Sequence, residues 1–190
     1  TLVAKFTDLG SSARLTWALA LGESVPVALA VNGSNLYMMG SFSRQTQLGS
    51  AQLTSAGSDD CYLAKLTDAG SSASLSWVQQ LGGLGSESLF GLGVEGNSVY
   101  VSGRSYGSQI NVGGLPLPLP GTAPGGFVAK FVDQGASSAV AWAQLTSGTG
   151  FDCIYDLKPR GGSLYAVGAT TADPQAACDG FVAKLTDTGS

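Results

Sequence analysis

The sequence predicts an all-β chain of stacked, four-stranded antiparallel sheets, and three observations lead there. Four segments repeat along the 190 residues: LVAKFTDLGSS from Leu2, YLAKLTDAGSS from Tyr62, FVAKFVDQGASS from Phe127 and FVAKLTDTGS from Phe181. The apolar runs are short, rich in β-branched and aromatic residues, and bounded by Gly, Ser, Asn and Asp, which is the punctuation of strands and hairpins. The 3.6-residue periodicity of an amphipathic helix is absent.

Taken in chain order, each unit carries the same markers. The FVAK-type strand holds Lys5, Lys65, Lys130 or Lys184, followed by Asp8, Asp68, Asp133 or Asp187 and then Gly10, Gly70, Gly135 or Gly189. Asp followed by Gly between two apolar runs predicts a hairpin turn with Gly at the positive-φ position. The next strand carries Trp17, Trp77 or Trp142. An apolar strand such as VALAV follows, then a turn (NGSN at 32–35, EGNS at 95–98), then a strand containing Tyr37, Tyr100 or Tyr165. That gives four short strands per unit. One such sheet cannot bury both of its faces, whereas sheets stacked face to face can, which is the logic of a β-propeller.

The strand count sets the size of the assembly. The chain supplies the last two strands of one unit, two whole units and three strands of another, with approximate unit boundaries 1–60, 61–125 and 126–190. Propeller rings typically close with four to eight blades. The expectation is therefore a single propeller segment of about three blades, belonging to a larger ring or to a ring of several copies. Two inserts precede FVAK-type strands, SFSRQTQLGSAQLTSAGSDD and RSYGSQINVGGLPLPLPGTAPGG. The second contains Pro116, Pro118, Pro120 and Pro124, a stiff arm best suited to protecting a sheet edge. In the third unit Pro159 replaces a strand residue, which predicts a short or bulged strand there.

Composition narrows the function classes. Charged residues are 12% of the chain, hydrophobic residues 44%, and the net charge is -4. That combination excludes a disordered chain, which needs low hydrophobicity and high net charge. It also argues against a nucleic-acid partner, which needs clustered Lys and Arg. Histidine is absent, so no His-activated nucleophile, His metal ligand or His general base is available. No apolar run reaches the roughly 20 residues needed for a membrane helix, so no membrane insertion is expected. Thr1 opens directly into strand-like sequence without a signal-peptide pattern, which predicts a mature product or an excised piece.

The order of a GVAV-type strand, a G-N-x-VYVxG strand, a D-x-FVAKL strand and a Trp strand ending in LGG resembles the bacterial SBBP β-propeller repeat. NHL propeller repeats share that general order. DCYLAKLTDAGSSASLSWVQQLGG at 60–83, followed by GVEGNSVYVSG at 93–103, carries the resemblance most fully. It extends over nearly the whole chain and is silent on ligand. It implies that VALAV, LFGLGV and the stretch near Ile154 line a central channel, with the Trp strands outermost.

Each candidate site has a plain alternative. The repeated aspartates could offer one calcium ligand per unit, but a turn-forming Asp bonded to its own backbone explains the pattern without a metal. The lysines read as a solvated or Asp-paired row. The tryptophans could stack on sugars, although strand alternation favours packing against the next sheet. Polar residues outside the repeat are the better loop-contact candidates: Asp59, Asp60, Asp152, Asp156 and Asp179. Cys153 and Cys178 could pair across one repeat, contributing about 3 kcal/mol in an oxidising compartment and leaving Cys61 alone.

The functional expectation is a non-catalytic, extracellular or cell-surface bacterial scaffold or binding module that engages a protein or glycan through its loops. No catalytic residue and no cofactor is assigned. Self-association, or further repeats in a longer chain, is expected at its ends. The alternatives are a carbohydrate-binding propeller and a glycan hydrolase or lyase that uses loop carboxylates.

Overall fold

The computed structural model describes residues 1–119, 124–146, 153–171 and 178–188. Strands make up 78% of them, and no helix occurs among them. The all-β class is therefore as the sequence predicts.

The strands follow one another as antiparallel meanders. β1 (Leu2–Asp8) and β2 (Ala13–Ala20) form a two-stranded sheet. β3 (Val25–Asn32), β4 (Asn35–Leu48), β5 (Ala51–Asp68) and β6 (Ala73–Gly83) form a four-stranded meander. β7 (Ser86–Glu95) and β8 (Ser98–Tyr106) lead through a small hairpin, β9 (Gln109–Val112) and β10 (Leu115–Pro118), to β11 (Gly125–Asp133) and β12 (Ser138–Thr146). Apart from that hairpin, β7, β8, β11 and β12 make a second meander. β13 (Cys153–Arg160), β14 (Ser163–Thr170) and β15 (Asp179–Thr186) form a three-stranded sheet.

The two meanders are not separate sheets, which modifies the expectation of independent blades. One parallel bridge, Asp59 opposite Ser86, joins β5 to β7. β9 also pairs with β6, so ten strands belong to one mixed sheet. Its path runs β10-β9-β6-β5-β7-β8-β11-β12, and β10 lies beside β12, so the path is nearly closed, like a barrel.

Packing follows from side-chain alternation, because successive residues of a strand point to opposite faces. One apolar cluster joins Val3 and Trp17 of the first sheet to Met38, Tyr62 and Leu66 of the next. A second joins Tyr37, Leu63 and Trp77 to Phe127, Ala129 and Phe131. A third joins Tyr100 and Val128 to Ile154, Leu157 and Leu164. Each cluster lies between one repeat and the next. Burying a side chain the size of Phe or Leu contributes about 1.5–3 kcal/mol, so the interfaces between repeats form the core.

Two kinds of bulge recur. In each Trp strand the register slips one residue before the tryptophan, at Thr16, Ser76 and Ala141. The VALAV-type strand of each unit, β3, β7 or β13, slips at Val27, Phe90 or Tyr155. The bulge expected at Pro159 thus belongs to the repeat and has nothing to do with proline. Pro159 stays in register opposite Leu164, on a strand that pairs on one side only among the described residues, where a missing N–H is tolerated. It packs over Gly93, where a Cβ would approach the proline Cδ to 2.4 Å.

Both inserts are hairpins that reach back one unit. The first lengthens β4 and β5, and its turn places the Gly49 N–H on the Leu21 carbonyl at the end of the first Trp strand. The second sets β9 along β6, with Val112 opposite Leu81, the equivalent leucine of the next unit. Pro116 and Pro118 lie on β10, outermost of the hairpin, and Pro120 lies outside the described residues. The arm covers an edge, and proline suits its outer strand because it has no N–H to leave unpaired.

Candidate functional site

Two polar systems are organised enough to be sites: the repeated Lys–Asp–Trp–Tyr set and a pair of buried carboxylates. In the repeated set the register does the work. Tyr37, Lys65 and Trp77 stand directly opposite one another on β4, β5 and β6, and Tyr100, Lys130 and Trp142 do so on β8, β11 and β12. Opposite residues in an antiparallel pair share a face, and the bulge before each tryptophan is what brings the indole onto the lysine's side.

Each row closes on the aspartate of the following unit. Asp133 accepts from Lys65 Nζ at 2.6 Å, Tyr37 Oη at 2.7 Å and Trp77 Nε1 at 3.1 Å. It also caps its own turn through the Gly135 N–H at 2.9 Å. Asp187 accepts from Lys130 Nζ at 2.7 Å, Tyr100 Oη at 2.6 Å and Trp142 Nε1 at 3.3 Å. Asp68 takes Lys5 Nζ at 2.6 Å and Trp17 Nε1 at 3.0 Å. The division of labour is constant. Oδ1 serves the tryptophan, and in Asp68 and Asp133 also the turn N–H, while Oδ2 serves the lysine and, where present, the tyrosine.

The electrostatics follow from burial. Desolvation opposes ionisation of Asp133, yet the donors from Lys65, Tyr37, Trp77 and Gly135 together outweigh it and hold the carboxyl below its usual range. Burial, and then the bond to Asp187, pushes the Tyr100 hydroxyl up to about 12. Burial and Asp133 push Tyr37 upward in the same way. These are interlocks between repeats, and their carboxylates are already occupied by protein donors. Trp17 and Trp77 are buried in the inter-repeat clusters, so neither ring face is open to a sugar.

The second system lies where β5, β6 and β7 meet. Asp60, a sequence candidate, is fully buried; Oδ1 accepts from Ser55 Oγ at 3.0 Å, and Oδ2 from Gln80 Nε2 at 2.7 Å and the Ala56 N–H at 3.2 Å. Gly82 makes this possible, since a Cβ there would sit 2.0 Å from Asp60 Oδ2. Glu87, absent from the sequence candidates, is also buried and accepts from the Gly83 N–H at 2.9 Å and Ser105 Oγ at 2.7 Å. Burial, with the charges of Asp60 and Asp59 adding to it, raises the Glu87 carboxyl; the Ser105 and Gly83 donors pull the other way. Above Asp60, but not Glu87, opens a cleft of about 270 Å³ lined by Ala56, Gln79, Gln80, Gly82 and Asn111.

Of the other described candidates only Asp59 lies here: it is exposed at the rim, bridges β5 to β7 opposite Ser86, and its charge acts on Glu87. Asp156 caps Leu157 and pairs with Lys158 at an exposed position. Asp179 begins β15 at the surface, and Asp152 lies outside the described residues. Cys61 and Cys153 are buried thiols and Cys178 is an exposed one. No group of three or more Cys, Asp or Glu that could hold a metal occurs among the described residues. No family model and no curated protein matches the chain, so the resemblance to propeller repeats stands on the residues that carry it.

Glu87 gives a pH test with a fixed sign. Its folded-state affinity for a proton exceeds that of the unfolded chain, so ionising it costs stability as pH rises above the ordinary glutamate value of 4.5. Glu87→Gln keeps an acceptor and removes the charge. The variant should gain on the parent between about pH 4 and pH 7 in paired thermal melts. A gap that stays constant across that range would show that folding does not raise the proton affinity of Glu87.

Proposed function

We propose that the chain is a non-catalytic segment of a bacterial β-propeller, extracellular or displayed at the cell surface, that serves as a scaffold and binds a partner through the loops and inserts that connect its strands. The observation supporting this most directly is that the repeated polar residues are spent on one another. The Lys, Asp, Trp and Tyr of each unit fasten it to the next. A repeat whose polar groups lock its own stack is a framework, and binding then falls to what the repeat does not dictate. Here that is the cleft bordered by Gln79, Gln80 and Asn111, beside the insert hairpins.

The buried carboxylates fit structure better than turnover. Both oxygens of Asp60 are held by Ser55, Gln80 and a backbone N–H, and both oxygens of Glu87 are likewise bonded. A general acid or base must instead reach the proton it transfers. The test is incubation of the chain with a panel of glycans, followed by product analysis. No cleavage is expected. Cleavage that disappears in Asp60→Asn while the fold survives would replace this reading with a glycan-cleaving enzyme. Screening the same protein on a glycan array and a peptide-display library, with Asn111→Arg as the blocked-cleft control, then separates glycan from protein partners.

A further inference from the structure

The interlock between repeats is built three times, and the chain carries its two unmatched halves at opposite ends. On the first sheet, Leu2, Ala4, Phe6 and Asp8 face away from the stack, with Leu2 67% and Phe6 63% exposed. Their equivalents in the third unit, Phe127, Ala129, Phe131 and Asp133, are packed against the preceding repeat. On the last sheet, Tyr165, Val167, Val182 and Lys184 form the outward face, with Val182 80% exposed. Their equivalents are Tyr37, Met39, Leu63 and Lys65, the set that Phe131 and Asp133 engage.

Both halves are already arranged as they are inside the stack. Asp8 Oδ1 caps its turn through the Gly10 N–H at 2.8 Å, just as Asp68 and Asp133 do, and among the described residues Asp8 forms no ion pair. Lys184 stands opposite Tyr165 in the register, with Nζ 5.7 Å from the ring centre, close to the 5.9 Å of Lys130 over Tyr100. A carboxylate and an apolar face occupy one end, and a cation, a hydroxyl and an apolar face the other. Asp68 shows that the interlock forms without its full set, since it closes on Lys5 and Trp17 alone.

We propose that these two faces bind each other between two copies of this chain, head to tail, with Tyr165 and Lys184 of one copy closing on Asp8 of the next. This inference rests on the stacked-repeat reading above and is independent of any ligand. A contact between unlike faces is heterologous, so it propagates into a ring if the rotation closes and into an open chain if it does not. The apolar residues supply the area, and the Asp8–Lys184 pair sets the register and excludes other faces.

Charge reversal tests the pairing. Sedimentation across a concentration series should show the unmodified chain growing beyond a monomer. Asp8→Lys alone and Lys184→Glu alone each place like charges in contact and should weaken association by roughly 10- to 100-fold. An equimolar mixture of the two variants places opposite charges at both contacts and should restore association. Lys184 is exposed, so the thermal melt of diluted Lys184→Glu should match the parent. Asp8→Lys also loses the exposed turn bond from the Gly10 N–H and should melt only slightly earlier, still as one cooperative transition that reports an intact fold. A chain that stays monomeric, associates regardless of either reversal, or fails to recover in the mixture overturns the proposal; a monomer would leave both faces to flanking repeats. Failure of the stacked-repeat reading appears elsewhere, because Asp133 lies inside the chain and its substitution reads the interlock without any second copy.

Discussion

Asp133→Asn should lower the stability of the chain by about 3–5 kcal/mol, because it leaves the Lys65 ammonium buried without its countercharge. The Lys65 and Asp133 side chains are only 5% and 6% exposed, so water cannot take over the lost interaction. Asn keeps nearly the same shape and one acceptor oxygen, so the effect isolates the charge. For a chain of this size the loss corresponds to a fall in melting temperature of about 6–20 °C. Lys65→Met combined with Asp133→Asn should recover much of it, since removing both partners of a buried pair is far milder than removing one. Asp68→Asn should cost less than Asp133→Asn, because Lys5 is 38% exposed and remains solvated. Equal losses at Asp68 and Asp133 would mean that burial does not govern the interlock.

The same carboxylate contributes to the acid limb of the stability curve. Asp133 is held below its ordinary value of 3.8, so its contribution is fully present above that pH and is lost as pH falls through the folded-state value. Glu87 acts in the opposite direction, its penalty growing as pH rises above 4.5. Stability should therefore fall on the acid side through Asp133 and be eroded on the neutral side through Glu87. In Asp133→Asn the acid limb should flatten, and in Glu87→Gln the neutral one.

The repeat was legible in the sequence because its markers are chemically conspicuous: Asp followed by Gly makes a turn wherever it falls, and FVAK alternates wherever it pairs. The role of the markers was less visible. Asp133 looks like a turn residue and is one, through Gly135, but its other donors come from the preceding unit, more than fifty residues away in Trp77 and Lys65. No local pattern announces that distance. The bulges at Thr16, Ser76 and Ala141 are equally silent, since three different residue types occupy one geometric position. Among the carboxylates, Asp60 drew notice as one of an adjacent acidic pair, but nothing local distinguishes the buried Asp60 from the exposed Asp59. Glu87 escaped because a glutamate among serines reads as a solvated strand residue. Its partners, Gly83 and Ser105, are ordinary until the pairing of β7 with β8 brings Ser105 opposite it. The joining of the two meanders through Asp59 and Ser86 follows from how the sheets approach one another, which strand periodicity does not encode.

Phe131→Ala and Phe6→Ala should part company, although the two residues hold the same place in their repeats. Phe131 is fully buried between the two meanders, beside Tyr37 and Trp77. Truncating it removes its transfer free energy and leaves a cavity that neighbouring strands, fixed by their ladders, can close only in part. A loss of about 3–5 kcal/mol is expected. Phe6 is 63% exposed on the outward face of the first sheet, so in dilute solution its truncation should fall within about 0.5 kcal/mol of the parent. At concentrations where copies associate, Phe6→Ala should instead weaken assembly, because there it meets the face that Phe131 meets inside the chain. One substitution made at two equivalent positions thus reads the same interface twice, once as folding and once as association. If Phe131→Ala melts with the parent, the stacked packing of the repeats is wrong. If it melts early while Phe6→Ala leaves association untouched, the stack is right and the outward face is not the one that joins the copies.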